Sequence, residues 1–194
     1  MKNKGLWIAL GVIVVIILWG VSAYNGMVSK QETATTALAN VQATYQRRAD
    51  LLPNLTKVVK AYAKHENETF KEVAEARSKA SQIKLDAGDL TPEKIRQFQE
   101  AQGELSAALG KLMAVSENYP QLKASENFQD LQTQLEGTEN RINEARQQYN
   151  EAVQDYDVTI RRMPNVLVAG MFGFDKMAKF EAASGAEKAP DLDI

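Results

Sequence analysis

The sequence has no cysteine and a single histidine, His65. The first absence removes disulfides, thiolate metal sites and thiol nucleophiles. The second removes any histidine-rich metal centre within one chain. Five prolines and 11 glycines in 194 residues leave few places for the chain to turn, and with 25% charged residues this suits long helices better than a β fold. Positive charge is not in excess. The 23 Lys and Arg face 25 Asp and Glu, a net charge of −2, which argues against nucleic acid as a partner. The aromatic residues are spaced as core positions, without basic residues interleaved for base stacking. There is no glycine-rich phosphate loop and no Gly-x-Ser-x-Gly elbow, and His65 alone cannot complete a Ser/His/Asp series. No catalytic residue, cofactor or metal ligand is assigned.

Charge is missing altogether from Gly5 to Tyr24, where Leu6–Leu10 and Val12–Trp19 form an apolar run. Twenty residues at about 1.5 Å each reach roughly 30 Å, the thickness of a bilayer's hydrocarbon core. Trp7 near one end, and Trp19 with Tyr24 near the other, suit the two interfaces. Val21-Ser22-Ala23 resembles a signal-peptide cleavage site, but the run exceeds the usual h-region of about 7–15 residues. The segment 1–24 therefore reads as an uncleaved transmembrane anchor in the cell (inner) membrane. Lys2 and Lys4 precede the span and only Lys30 follows closely, so the positive-inside bias puts the body outside the cytoplasm.

The rest of the chain has helical periodicity. Phe128, Leu131, Leu135, Thr138, Ile142, Ala145, Tyr149, Ala152 and Tyr156 follow steps of three and four, the 3.5-residue period of bundles and coiled coils. A second stripe runs through Ile95, Phe98, Gln102, Leu105, Leu109, Leu112, Ser116 and Tyr119, with Thr91 as N-cap and Pro92 at the first helical position. Leu38, Val41, Tyr45 and Leu52 continue helically from the anchor, and Pro53 interrupts them. No window alternates at period two. The predicted fold is all-α: an N-terminal transmembrane helix, then an up-and-down antiparallel four-helix bundle with long helices at about 26–50, 53–84, 92–118 and 124–162. The bundle domain covers 25–164, an apolar segment follows at 165–181, and 182–194 reads as a flexible tail.

Three blocks carry a family resemblance. Arg48-Ala49-Asp50-Leu51-Leu52-Pro53-Asn54-Leu55, followed by Tyr62, His65 and Glu66, closely resembles the signature of the LemA family. Glu117-Asn118-Tyr119-Pro120-Gln121-Leu122-Lys123-Ala124 is similar to its second block. Thr138-Glu139-Asn140-Arg141-Ile142 with Ala145-Arg146 and Tyr149-Asn150 is similar to a third. Pro164, Gly173-Phe174 and Phe180-Glu181 extend the likeness. The resemblance implies a bacterial or archaeal single-pass membrane protein with a helical bundle and no established enzymatic activity. It also implies an outside N-terminus, opposite to the orientation that the lysines favour.

The candidate residues each admit two readings. Arg48, Asp50 and Asn54 around Pro53 form either a recognition loop at the bundle tip or a turn, with Asp50 capping the second helix and Arg48 pairing with a carboxylate. His65 and Glu66 start like a zinc motif but lack a histidine four residues on, which leaves an ordinary hydrogen bond or a pH-sensitive contact. Glu139, Asn140, Arg146 and Asn150 flank the last stripe. They would form a metal site only by converging with Asp50, Glu66 or Glu117, and the Glu-x-x-His pairs of carboxylate-bridged bundles are absent. A polar network fixing helix register, with Tyr149 in the stripe and Tyr119 and Pro120 ending the preceding helix, fits better. Val166, Leu167, Val168, Met171, Phe172, Phe174, Met177 and Phe180 give an apolar segment too short for a second span. Phe172, Phe174 and Phe180 are expected against membrane or a neighbouring subunit.

The leading functional expectation is a non-catalytic, membrane-anchored bundle that binds membrane lipid or other membrane proteins. A homo-oligomeric scaffold that shapes membrane is the alternative, and a carboxylate-based metal enzyme has the least support.

Overall fold

A computed structural model describes residues 3–86, 88 and 90–181. Among these, every regular element is a helix: α1 (Asn3–Tyr62), α2 (Asn67–Gln82), α3 (Pro92–Glu117), the single turn α4 (Pro120–Lys123), α5 (Glu126–Arg161) and α6 (Asn165–Phe172). The tail predicted at 182–194 lies outside the described residues.

The 60 residues of α1 make a rod about 90 Å long at 1.5 Å per residue. Its first third stands clear of the rest of the protein, with Leu6 to Val21 exposed on all faces. This is the one stretch among the described residues long and apolar enough to cross a membrane. From there the same helix enters the bundle. Ala34, Leu38, Val41, Tyr45, Arg48, Leu52, Leu55 and Val59 are all buried, at alternating steps of four and three. This is the seam of a shallow left-handed helix crossing. The partner is α5, which buries Thr138, Ile142, Ala145, Tyr149, Val153, Tyr156 and Ile160. The ion pairs Lys30–Asp155 and Arg48–Glu139 show that α1 and α5 run antiparallel.

The sequence placed a helix break at Pro53, but α1 continues through it to Tyr62 and the turn comes at 63–66. A proline at this position has no N–H for the Ala49 carbonyl one turn earlier. Arg77 on α2 supplies the missing donor, its Nε lying 2.9 Å from the Ala49 oxygen. With that acceptor satisfied, the helix has no need to end there. The prediction of separate helices at 26–50 and 53–84 is corrected accordingly. The predicted start of α3 stands as read, with the Thr91 side chain accepting from the Lys94 N–H and Pro92 in the first turn.

α2 and α3 form an antiparallel hairpin, tied outside by Lys79–Glu104 and Lys111–Glu72. The hairpin covers only the upper part of the α1–α5 pair. The core thus divides into a tip cluster with Leu55, Val59, Leu105, Leu112 and Phe128, a middle cluster with Leu38, Val41, Phe98, Ile142 and Tyr149, and a basal cluster with Met27, Tyr156, Ile160 and Val168. Below the hairpin, α6 and residues 173–181 complete the packing. α6 ends at Gly173, whose left-handed backbone (φ 72°) a side chain would disfavour.

Candidate functional site

Arg48 sits at a seam position where its neighbours are apolar, and its side chain is only 2% exposed. One terminal nitrogen donates to Ser106 Oγ (2.9 Å) and to Glu139 Oε2 (3.0 Å). The other donates to the Gln102 carbonyl (3.2 Å) and to Gln102 Oε1 (2.7 Å). The guanidinium also lies 5.2 Å from the centre of the Tyr45 ring, and only Nε lacks a partner. One side chain on α1 thereby reaches both α3 and α5. A planar five-donor fork can do this where a lysine could not.

A cleft of about 470 Å³ opens beside this network, lined among others by Tyr45, Arg48, Arg96, Gln102, Glu139 and Arg146. Arg48 pairs with Glu139 and Arg96 with Glu93, while Arg146 donates to the Glu181 backbone carbonyl at 2.6 Å. Ser106 spends its hydroxyl proton on the Gln102 carbonyl, and His65 lies far away in the α1–α2 turn. No nucleophile–base pair is formed there. Burial raises the Tyr45 phenol above its ordinary pKa, against the lowering effect of Arg146 and Arg48.

The other polar residues of α5 hold residues 173–181 by their backbone. The Tyr156 hydroxyl donates to the Asp175 carbonyl (2.9 Å), and Asp157 accepts from the Met177 N–H (3.2 Å). The Tyr149 hydroxyl donates to the Ala178 carbonyl (2.7 Å). Asn150 pairs with both backbone groups of Phe180, at 2.8 and 2.9 Å. Gln99 and Arg146 finish the ladder on the Glu181 carbonyl. These contacts define an extended strap lying along α5. Burial, with a smaller contribution from the Asp157 carboxylate, raises the phenol pKa values of Tyr149 and Tyr156.

The remaining candidates do not converge. Asp50 caps no helix; it is exposed mid-helix and accepts from Gln46 at 2.8 Å. Pro53 and Asn54 are exposed on α1, His65 is exposed and Glu66 half-buried in the turn before α2, and Glu117 is exposed at the end of α3. The recognition loop expected around Pro53 is therefore absent, because no loop forms there. Tyr119 packs against the tip cluster and Pro120 opens α4. Asn140 points to solvent beside Glu139. Among the described residues no group of three or more His, Cys, Asp or Glu is placed to hold a metal.

The three phenylalanines part company. Phe180 is buried in the middle cluster against Phe98 and Tyr149, so it is neither a membrane nor a subunit contact within this chain's fold. Its ring fills the space below the hairpin, which a helix-only reading of the core leaves empty. Phe172 and Phe174 both meet Tyr24 edge-on, at 5.0 and 5.4 Å. Sequence reasoning missed Arg77, Ser106, Asp157 and the strap itself. The expected pairing of Arg48 with a carboxylate is met by Glu139, and Gln102 within an apolar stripe was a further signal of the buried network.

Comparison with known proteins supplies the family. The LemA family description matches residues 37–193. This chain belongs to the LemA family. The relatives of this LemA-family chain include magnetosome protein MamQ of Magnetospirillum gryphiswaldense, 26% identical over 176 residues, which cover 81% of this chain and 64% of that protein. MamQ 2 of Paramagnetospirillum magneticum is likewise 26% identical, over 177 residues with the same shares. Protein LemA of Metamycoplasma hominis is 25% identical over 159 residues, 82% of this chain and 69% of that one. The chain spans less than two thirds of the length of the MamQ relatives it matches. Together with the exposed apolar helix, the family marks the chain as membrane-associated. All three resemblance blocks fall inside the matched region. They hold the Arg48 network and the Pro53 crossing, the α3–α4 turn, and the strap ladder respectively.

Proposed function

We propose that this LemA-family chain is a membrane-anchored, non-catalytic bundle that acts by binding membrane proteins or membrane surfaces, with its body outside the cytoplasm. The observation that carries the reading is the continuity of α1. One unbroken helix runs from an apolar stretch exposed on every face into the core of the bundle. The exposed Leu, Ile and Val between Leu6 and Val21 require an apolar surrounding, and a bilayer supplies one at matching thickness. An anchor that is also a core helix fixes the bundle's height above the bilayer, which suits presentation of a surface at a set distance. Family membership and the named relatives support the membrane setting.

The absence of cysteine makes the test clean, since His65→Cys at the exposed turn is then a unique label site. An impermeant maleimide is expected to label it in intact cells, and the chain is expected to stay in the membrane fraction through an alkaline carbonate wash. Release by the wash would overturn the anchor. Labelling only after lysis would overturn the outside body. Crosslinking in the same cells is expected to give discrete adducts with membrane proteins or lipid, and their absence would overturn the binding role.

A further inference from the structure

We infer that α6 is a second membrane contact, lying in the lipid interface beside the point where α1 leaves the bilayer. The inference rests on the anchoring of α1 proposed above. α6 buries Asn165, Val168 and Ala169 against the basal cluster, in contact with Ala23 and Met27 of α1. Its other side carries Leu167 (61% exposed), Met171 (80%) and Phe172 (61%), with Met163 (73%) just before it. For a helix of eight residues this is an apolar face without a cover.

The neighbouring surface says what covers it. Phe172 and Phe174 meet Tyr24, the aromatic at the body-side end of the apolar span, so the exposed face of α6 adjoins the exposed apolar surface of α1. Arg161 and Arg162, both exposed and free of ion pairs among the described residues, end α5 at the same level. That places two cations where lipid phosphates lie if α1 spans the bilayer. An apolar face with basic residues at its edge is the composition of a helix lying in the headgroup region. The occupant is therefore the lipid surface on the body's side. A second copy of the chain would not require the face to begin where the span ends.

Environment-sensitive labels test this in the full chain, reconstituted into vesicles of three parts phosphatidylcholine to one part phosphatidylglycerol. Single cysteines are placed by Met171→Cys, by Val14→Cys within the span, and by His65→Cys at the far turn. A quencher carried on the lipid is expected to dim the labels at positions 171 and 14 and to leave position 65 bright, with aqueous iodide giving the reverse. Position 171 quenched by iodide as strongly as position 65, while position 14 stays with the lipid quencher, overturns the foot and leaves the anchor standing. Iodide reaching position 14 as well overturns the anchor. A label at 171 shielded from both quenchers, in a chain that is dimeric by mass in mild detergent, assigns the face to a second copy and overturns the lipid contact.

Discussion

Arg48 occupies a seam position between Tyr45 and Leu52, where burial of a full charge costs several kcal/mol before any compensation. It is held because its donors find Glu139, Gln102 and Ser106 on two other helices, and because Glu139 keeps half its surface in water. Such a residue contributes register more than stability: a slip of either partner helix by one residue would strand the guanidinium. Tyr149 shows the same economy at the strap. Its hydroxyl is the donor to the Ala178 carbonyl, and a phenolate cannot donate. Burial raises the folded-state pKa above the ordinary value near 10, so the stabilisation is complete below about pH 10 and is lost as pH rises through the higher folded value. Melting temperature should therefore fall more steeply above about pH 10 in the native chain than in Tyr149→Phe. At neutral pH that variant should lose about 0.5–1.5 kcal/mol, the net worth of one hydrogen bond. Equal slopes for the two proteins would show that the phenol does not carry the alkaline transition.

At the scale of elements, the helical stripes were legible and one boundary was not. The three-four spacing from Phe128 to Tyr156 located α5, and Thr91-Pro92 located the start of α3, because periodicity and capping are local properties of the chain. Pro53 misled because its effect depends on a residue 24 positions away. Proline inside a helix costs about 3 kcal/mol, in part through the carbonyl it leaves without a donor. Arg77 removes that part by donating to Ala49, and nothing in the residues flanking Pro53 announces it. The strap was illegible for a related reason: residues 173–181 are neither helical nor alternating, and their backbone is satisfied by side chains of α5 and α3. Arg77→Ala should destabilise the native chain by about 1–3 kcal/mol, the penalty of a buried acceptor left unpaired. In a Pro53→Ala background the restored N–H takes over that carbonyl, so the same change should cost distinctly less. Denaturant titration of the four proteins gives the coupling directly. Additive effects would mean that Arg77 supports the helix by some other route.

For the whole molecule, the consequence of a 60-residue α1 is that three separate cores share one rod. The hairpin closes the tip, the strap with the lower end of the hairpin closes the middle, and α6 closes the base. Each section has its own cover, so a defect in one cover should open that section before the others. Phe180 is the sharpest test, since its ring lies against Phe98 and Tyr149 in the middle section and belongs to the strap that covers it. Phe180→Ala removes a buried aromatic on the scale of about 3–5 kcal/mol. In hydrogen exchange read by mass spectrometry, the loss should appear as faster exchange along 34–45 of α1 and 142–153 of α5. The tip segments 52–63 and 105–115 should keep their native rates, because their contacts run to α2, α3 and α4 and not to the strap. Acceleration spread evenly along the rod would mean that the three sections unfold as a single unit, and that α1 transmits a defect at its middle to its tip.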